Sequence, residues 1–184
     1  MQKALTVVMG LGLSAYAANG VIPGWFVSGG GRADYVATKD TSVKKSGTSS
    51  ARFTTQGKTD KYGTLMQAFN PQRYAGKRVR LSAWVKTQGA TGRVDLWSRV
   101  QAANSPGDGP GIAGSLTRLP ETSDWKRYEH VFDVSADGVS LQYGVGLQGP
   151  GTLWLDNVKL EVVDKNTPLS DGSPTEPVNL DFED

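Results

Sequence analysis

The feature that most constrains this chain is a succession of short segments in which apolar and polar residues alternate. In residues 77–87 (KRVRLSAWVKT), every second residue from Val79 to Val85 is apolar, whereas Arg80 and Trp84 fall on the opposite side. A period of two residues is typical of a β-strand with one buried face. After residue 20 no long stretch has apolar residues at helical spacing, which excludes a parallel α/β fold with helices between its strands.

The predicted strands follow one another at intervals of roughly 10 to 15 residues, with turn-forming residues between them. Many of these turn-forming residues belong to the 23 glycines and 9 prolines of the 184-residue chain. A glycine- and proline-rich loop is predicted at 102–114, and a loop or one helical turn at 71–76. The pattern predicts an all-β chain folded as an antiparallel β-sandwich of jelly-roll type. The predicted strands are 32–38, 49–55, 62–69, 77–87, 93–101, 125–134, 139–148 and 152–163, followed by an alternating patch at 178–182.

Residues 1–17 (MQKALTVVMGLGLSAYA) have the pattern of a secretory signal peptide. Lys3 precedes an apolar run that is too short for a transmembrane helix, and Ala15-Tyr16-Ala17 is a small-x-small cleavage sequence. The alternative is a buried N-terminal helix of a cytosolic protein. We therefore expect a secreted or periplasmic protein without a membrane span.

The rest of the chain divides into two predicted parts. Residues 18–164 form the β-sandwich domain. Residues 165–184 begin as a polar linker containing Pro168 and Pro174, and end in a strand that packs back on the sandwich.

The composition argues against several kinds of function. The chain has no cysteine and one histidine, His130, which argues against thiol chemistry, cysteine-ligated zinc and a Ser-His-Asp triad. Its net charge of +2 implies no strong field for a nucleic acid or a membrane surface. There is no nucleophile elbow, zinc-protease motif or P-loop, and the carboxylates stand in no catalytic motif. We therefore expect a protein that is not an enzyme and binds no nucleic acid.

Two neighbouring predicted strands carry the best candidate binding residues. Saccharide recognition needs a flat aromatic surface for pyranose rings and planar polar groups for the hydroxyls. Alternation places Arg80 and Trp84 on one face of their strand, and we expect the residues of the next strand to lie on the matching face. The candidate ligand-binding residues are Arg80, Trp84, Asp95, Trp97 and Arg99, with Gln67, Gln142 and His130 expected on the same sheet.

Other interpretations of the aromatic and charged residues stay open. Tryptophans often fill or cap the core of a sandwich, and the arginine and aspartate side chains could simply pair with each other. Trp25, Trp125 and Trp154 are expected to be structural. The loop at 102–114 either borders the site as a lid or is simply a solvent-exposed connection between strands.

Several fragments, taken in order, resemble the galactose-binding-like jelly rolls, the superfamily that contains many carbohydrate-binding modules. A narrower bacterial group, sometimes attached to transcription regulators or hydrolases, shares the GWFxSG start and the PVNLDFE end, and its ligand is not established. The resemblance implies a poly- or oligosaccharide ligand carried on a concave sheet. The matching fragments are PGWFVSG (23–29), SGTSSA (46–51), GTLMQ (63–67), YAGK (74–77), VRLS (79–82), TSDW (122–125), LWLDNV (153–158) and PVNLDFE (177–183).

The sequence departs from that family at one point. Carbohydrate-binding modules of this type begin with an N-x-x-F-E segment, whereas here NLDFE stands at 179–183. Either the strand is supplied from the C-terminus, as in a circular permutation, or the chain holds the start of a truncated second repeat. We favour the first and expect the tail to pack near Trp25.

The resemblance also implies a structural calcium ion, since related modules hold one between their terminal strands. Asp156 and Glu183 match the acidic positions, and calcium prefers oxygen ligands. Alternatively, Asp156 accepts hydrogen bonds from backbone amides at a bulge. No other cofactor is expected.

The sequence thus predicts an exported, non-catalytic carbohydrate-binding domain that uses aromatic stacking and polar contacts on one sheet face. The alternative is a ligand-sensing or protein-interaction domain of a bacterial regulator or envelope protein.

Overall fold

The computed structural model describes residues 22–103 and 112–170, with residues 112–115 described by their backbone alone. In these described residues, two short 3₁₀ turns, Arg32–Asp34 and Gln72–Tyr74, interrupt an otherwise all-β fold. The ten strands are β1 (Phe26–Ser28), β2 (Tyr35–Asp40), β3 (Ser50–Thr55), β4 (Tyr62–Phe69), β5 (Arg78–Gln88), β6 (Val94–Ala102), β7 (Ile112–Arg118), β8 (Ser123–Asp133), β9 (Gly138–Gln148) and β10 (Thr152–Val162).

The strands form two five-stranded antiparallel sheets packed face to face. Sheet I has the order β1-β4-β9-β6-β7, and sheet II has the order β2-β3-β10-β5-β8. Among the strands of the described ranges, only β2–β3 and β6–β7 are sequential strands paired in one sheet, so most connections cross from one sheet to the other. This confirms the predicted antiparallel β-sandwich of jelly-roll type.

The apolar stripes of the two sheets face each other and form one core. Val79, Leu81 and Val85 of β5 are fully buried against Leu141 and Leu147 of β9, as the alternation predicts. Each such side chain contributes about 1.5–3 kcal/mol relative to an exposed position, so these stripes set the register of the strands.

The core also contains a polar cluster that joins the two sheets. His130 of β8 is fully buried, and its Nε2 lies 2.9 Å from Oγ of Ser98 on β6. Its Nδ1 lies 3.4 Å from Oγ1 of Thr117 on β7. Burial lowers the pKa of His130 to about 4, because the core disfavours the charged imidazolium. The expectation that His130 shares a binding face is therefore wrong, since it lies between the sheets.

The strand predictions are accurate where alternation is strong and fail where it is weak. Tyr62–Phe69 is a strand with the predicted bounds. The short β1 and the small-residue β7 were not predicted, and β7 occupies part of the predicted loop 102–114. Residues 32–34, predicted as the start of a strand, form a 3₁₀ turn.

The described end of the chain lies along β8, at the end of sheet II opposite β2. Ser170 N donates to the carbonyl of Val131 (3.1 Å), and Val131 N donates to Oγ of Ser170 (2.8 Å). The predicted signal peptide 1–17 and the predicted strand at 178–182 lie outside the described residues. Within the described ranges, no helix is long and apolar enough to cross a membrane.

Candidate functional site

The two candidate tryptophans lie on opposite faces of the sandwich. β5, which carries Trp84, belongs to sheet II, whereas β6, which carries Trp97, belongs to sheet I. Both side chains point away from the core, as the alternation predicts, but outward directions on the two sheets are opposite. The prediction of one shared face is therefore wrong. The prediction fails because the segment that connects β5 to β6 crosses from sheet II to sheet I and does not form a hairpin.

Trp97 lies across the outer surface of sheet I. Its Nε1 donates to Oγ1 of Thr64 (2.8 Å), which belongs to β4, two strands away. The intervening strand β9 presents Gly144 and Gly146 at this point, opposite Trp97 and Asp95 respectively. Because neither glycine has a side chain, the indole can cross β9 close to the backbone. Trp97 is half-buried, so part of this side chain stays exposed to solvent.

A hydrogen-bonded group beside Trp97 fixes the local geometry. Asp95 is fully buried although it faces outward, and its Oδ1 accepts from the hydroxyl of Tyr62 (2.8 Å). Its Oδ2 accepts from Nε of Arg93, whose guanidinium also lies 5.2 Å from the centre of the Tyr62 ring. Burial, followed by the charge of Asp95, raises the pKa of Tyr62 well above its usual value, so this phenol stays protonated. The hydrogen bond to Asp95 raises the pKa of Arg93.

Gly146 makes this arrangement possible. A Cβ placed on Gly146 would lie 1.7 Å from the hydroxyl of Tyr62 and 2.6 Å from Oδ1 of Asp95. A Cβ on Gly144 would lie 2.2 Å from the carbonyl oxygen of Leu65. Glycine is therefore required at both positions by close approach of neighbouring atoms.

Two more predicted residues join Trp97 on this surface. Arg99 and Gln142 are paired across β6 and β9, two residues further along the same outer side. Asp95, Trp97, Arg99 and Gln142 are thus brought together as predicted, although their contact with a ligand stays a prediction. We call this surface the Trp97 face, formed by Tyr62, Thr64, Asp95, Trp97, Arg99 and Gln142.

Sequence reasoning missed Tyr62 and Arg93. A signal for them was present in β9, where glycines alternate with the buried residues Tyr143, Val145 and Leu147. A row of glycines on the solvent side of a strand indicates that large side chains from the neighbouring strands cross it.

The other outer surface, on sheet II, has a different character. Nζ of Lys45 lies 4.1 Å from the ring centre of Trp84, so a cation covers one side of the indole. Arg80 and Arg127 both pair with Glu129, at 3.7 Å for Arg80. We call this the Trp84 face, formed by Lys45, Arg80, Ser82, Trp84, Arg127 and Glu129. A cleft of about 370 Å³ adjoins it, lined by Ser82, Trp84, Arg127, Asn157, Lys159 and Glu161.

Lys45 is held there by Asp156. Oδ2 of Asp156 accepts from the backbone amides of Lys45 (2.9 Å) and Ser46 (3.1 Å), and Oδ1 accepts from that of Asn157 (2.7 Å). Asp156 stands at the register shift of β10, and Asn157 has a φ of 50°. These contacts match the alternative interpretation of Asp156 as a bulge residue that binds amides.

The calcium site stays a prediction. Glu183 lies outside the described residues. Within residues 22–103 and 112–170, no three His, Cys, Asp or Glu side chains are grouped so that they could hold an ion.

Gln67 lies apart from both faces, in a cleft of about 350 Å³ at the edge of the sandwich. Its Oε1 accepts from the hydroxyl of Tyr143, whose ring meets Trp25 edge-on at 5.7 Å. Gln67 and Gln142 are therefore on the same sheet, as expected, but on opposite sides of it. The indole of Trp154 is buried and donates to Asp40 (2.8 Å), which agrees with the predicted structural role.

Comparison with solved structures decides the fold. The CBM22-1 xylan-binding domain of Paenibacillus barcinonensis Xyn10C has a TM-score of 0.54 at 17% identity, covering 79% of this chain and 90% of that domain. The enzymatically active domain of tailspike protein 4 from bacteriophage CBA120 has a TM-score of 0.62 at 14% identity, covering 78% of this chain and 20% of that one. This is the jelly-roll fold of carbohydrate-binding modules.

The curated relative points in another direction. The uncharacterized HTH-type transcriptional regulator YbfP of Bacillus subtilis (strain 168) is 37% identical over 130 residues, which is 67% of this chain. The match covers 43% of the regulator, so the matched region spans less than half of that protein's length. No protein-family model matches the sequence.

Proposed function

We propose that this domain binds a poly- or oligosaccharide on the Trp97 face, without catalysing a reaction on it. The observation that carries the proposal is the indole of Trp97, laid across β9 with its Nε1 already bonded to Thr64. Since the N–H has a partner, the exposed part of the ring is what the residue offers to a ligand. A pyranose ring presents apolar C–H groups that pack on such a surface.

The surroundings of Trp97 supply the polar part of the site. Arg99 and Gln142 lie two residues beyond the indole, where planar donors and acceptors can reach sugar hydroxyls. Tyr62, Asp95 and Arg93 hold one another through hydrogen bonds. The site is therefore organised before a ligand arrives, which lowers the entropic cost of binding.

A binding role without catalysis fits the carboxylates of this face. Glycoside hydrolysis uses two carboxyl groups about 5–10 Å apart. Among the described residues, Asp95 is the carboxylate of the Trp97 face, and its two oxygens bind Tyr62 and Arg93. The similarity to the xylan-binding domain of Xyn10C supports a polysaccharide ligand.

The test is a comparison of matched tryptophan variants in a glycan array, followed by titration calorimetry with each glycan bound. Trp97→Ala should weaken binding about tenfold, a loss of about 1.4 kcal/mol from the apolar contact that the indole makes with a sugar ring. Trp84→Ala, on the opposite face, should leave the affinity unchanged. Circular dichroism checks that both variants are folded. Equal losses in the two variants would contradict the proposed site, and silence of the wild type on every glycan would contradict the function.

A second candidate function is ligand sensing within a transcription regulator. It is favoured by the 37% identity to YbfP, of which the matching region covers 43%. In that case the Trp97 face would bind a soluble saccharide that serves as a signal. Export through residues 1–17 separates the two functions, so the test is the intact mass of the protein in the cytoplasmic fraction and in the exported fraction. A chain cleaved after Ala17 in the exported fraction supports an exported binder, whereas a chain that retains Met1 and stays in the cytoplasm supports the sensor.

A further inference from the structure

The two halves of β10 have different neighbours in sheet II. From Thr152 to Leu155 the strand lies between β3 and β5, and its inward side chains Leu153 and Leu155 are buried. β10 then continues along β5 to Val162, but within the described ranges no strand is paired with its other side beyond Leu155. The edge is open there because β3 begins only at Ser50.

The core is incomplete beside this open edge. Val158 and Leu160 pack against the core but are only half-buried, and Val162 is 53% exposed. The cleft of about 350 Å³ that holds Gln67 adjoins the edge, and Trp25 and Val158 are among its lining residues. A further strand with apolar residues at alternate positions would cover these side chains and pair the open edge.

The chain carries a segment of this pattern after its described end. In residues 178–182 (VNLDF) three apolar residues alternate with Asn179 and Asp181. Such alternation is typical of a strand with one apolar face. The segment that leads to it contains Pro174 and Pro177, and the residue before a proline favours extended backbone.

The distance from the described end to the open edge is short enough for this segment. Ser170 N donates to the carbonyl of Val131 on the outer side of β8, and Val131 is level with Glu161 of β10 across β5. From there to the far side of β10 is four strand spacings, about 19 Å. The eight residues from Ser170 to Val178 span up to about 26 Å when extended. The segment can therefore reach the Val162 end of β10.

We propose that residues 178–182 form a strand on the open edge of β10, antiparallel to it, with their apolar side chains in the core. Entry at the Val162 end gives the antiparallel direction, which is also that of the neighbouring pairs of sheet II. The register that buries the apolar side chains places Val178 opposite Val162, Leu180 opposite Leu160 and Phe182 opposite Val158.

This register also brings opposite charges together on the outer side of the sheet. Asp181 lies opposite the exposed Lys159, and opposite-charge pairs across an antiparallel ladder are stabilising. The proposal thus gives a strand partner and a register to the tail that the sequence predicts near Trp25. It does not rest on saccharide binding.

An engineered disulfide tests the register, because the chain has no cysteine of its own. In the full chain, Lys159→Cys combined with Asp181→Cys should oxidise to an intramolecular disulfide, since directly opposed residues have Cα atoms about 4.5–5.5 Å apart. The matched control is Lys159→Cys combined with Asn179→Cys, a diagonal pair about 7–8 Å apart, which should crosslink at least fivefold more slowly. Peptide mapping under non-reducing conditions measures both.

Three results of this experiment would overturn the proposal. Equal crosslinking of the two pairs would mean that the tail holds no fixed register on β10. Absence of crosslinking in both would mean that the tail does not lie there. A disulfide between two chains would assign the open edge to the tail of a second copy.

A second pair of variants tests which side of the segment faces the core. Leu180→Asp should lower the thermal midpoint by about 5 °C or more, because it places a carboxylate between the sheets. Asn179→Asp, one residue away on the outer side, should change it by about 2 °C at most. Equal midpoints would contradict a buried strand. Saccharide affinity should be unchanged in both variants, because the Trp97 face lies on the other sheet.

Discussion

Trp97 and Trp84 present the same pattern in the sequence and opposite situations in the structure. Each alternates with buried aliphatic residues in a strand that also carries arginine on its outer side. Trp97 lies over a glycine row on sheet I, with its N–H bonded to Thr64. Trp84 on sheet II lies under the Nζ of Lys45. An outward position on an alternating strand is thus not enough to make a tryptophan available to a ligand.

The difference lies in what the neighbouring segments place beside each ring. Beside Trp97, Gly144 and Gly146 leave room for the indole to lie close to the sheet. Beside Trp84, Asp156 binds the backbone amides of the loop between β2 and β3 and so positions Lys45. Four changes, taken from the largest expected effect to the smallest, test this comparison.

The largest effect should come from the core that both faces share. His130 has a pKa of about 4 in the folded protein against 6.5 when exposed, so between these values the unfolded chain binds a proton that the folded chain does not. Stability should therefore fall as the pH falls through this range, by about 3 kcal/mol in total. Urea unfolding at pH 7, 5.5 and 4, followed by tryptophan fluorescence, measures the loss.

The matched variant is His130→Gln, which keeps hydrogen-bonding groups near Ser98 but does not titrate. It should be less stable at pH 7 and lose stability less steeply towards pH 4. Asp40, Asp124 and Asp133 have lowered pKa values, so their contributions are lost only at still lower pH. The same pH dependence in wild type and variant would show that His130 is not the group responsible.

The next effect should be confined to the Trp97 face. Gly146→Ala would bring a Cβ within 1.7 Å of the Tyr62 hydroxyl, so the Tyr62–Asp95 hydrogen bond must break or shift. We expect a loss of about 2 kcal/mol in stability, typical of overpacking, and weaker saccharide binding. Gly30→Ala is the control, because a Cβ there meets no atom within 4 Å. Wild-type affinity in Gly146→Ala would mean that Tyr62 does not organise the site.

The sequence allowed much of this to be predicted, for identifiable reasons. Strict alternation in β5 and β6 assigned the inner and outer residues correctly, because a buried stripe leaves only one possible orientation of the strand. What alternation does not contain is the partner of each strand. The expectation that consecutive strands present matching faces fails for β5 and β6, because the chain crosses to the other sheet between them, so Trp84 and Trp97 lie on opposite surfaces. A contact that crosses an intervening strand, such as the hydrogen bond from Trp97 to Thr64, likewise cannot be predicted without the order of the strands in the sheet.

On the Trp84 face, the effect of removing Asp156 should be smaller. Asp156→Ala deletes the acceptor for the amides of Lys45 and Ser46, an exposed pair of hydrogen bonds worth about 1 kcal/mol. The loop should then leave the sheet, and acrylamide should quench Trp84 more strongly. The difference in quenching between Asp156→Ala and the same variant carrying Trp84→Phe isolates that indole. Unchanged saccharide affinity is expected, and a loss would assign a binding role to this face.

The smallest effect should come from Lys45→Ala, which uncovers Trp84 while leaving the loop in place. Its ammonium group lies 4.1 Å from the ring centre, and an exposed cation–π contact contributes about 0.5 kcal/mol. The thermal midpoint should fall by a few degrees at most, while quenching of Trp84 by acrylamide rises. If Lys45 over the ring were all that keeps Trp84 from binding a glycan, the double variant Lys45→Ala/Trp97→Ala should bind the glycan more tightly than Trp97→Ala alone. We expect no recovery, because the Trp84 face lacks the glycine row and the Tyr62–Asp95–Arg93 group that organise the other side.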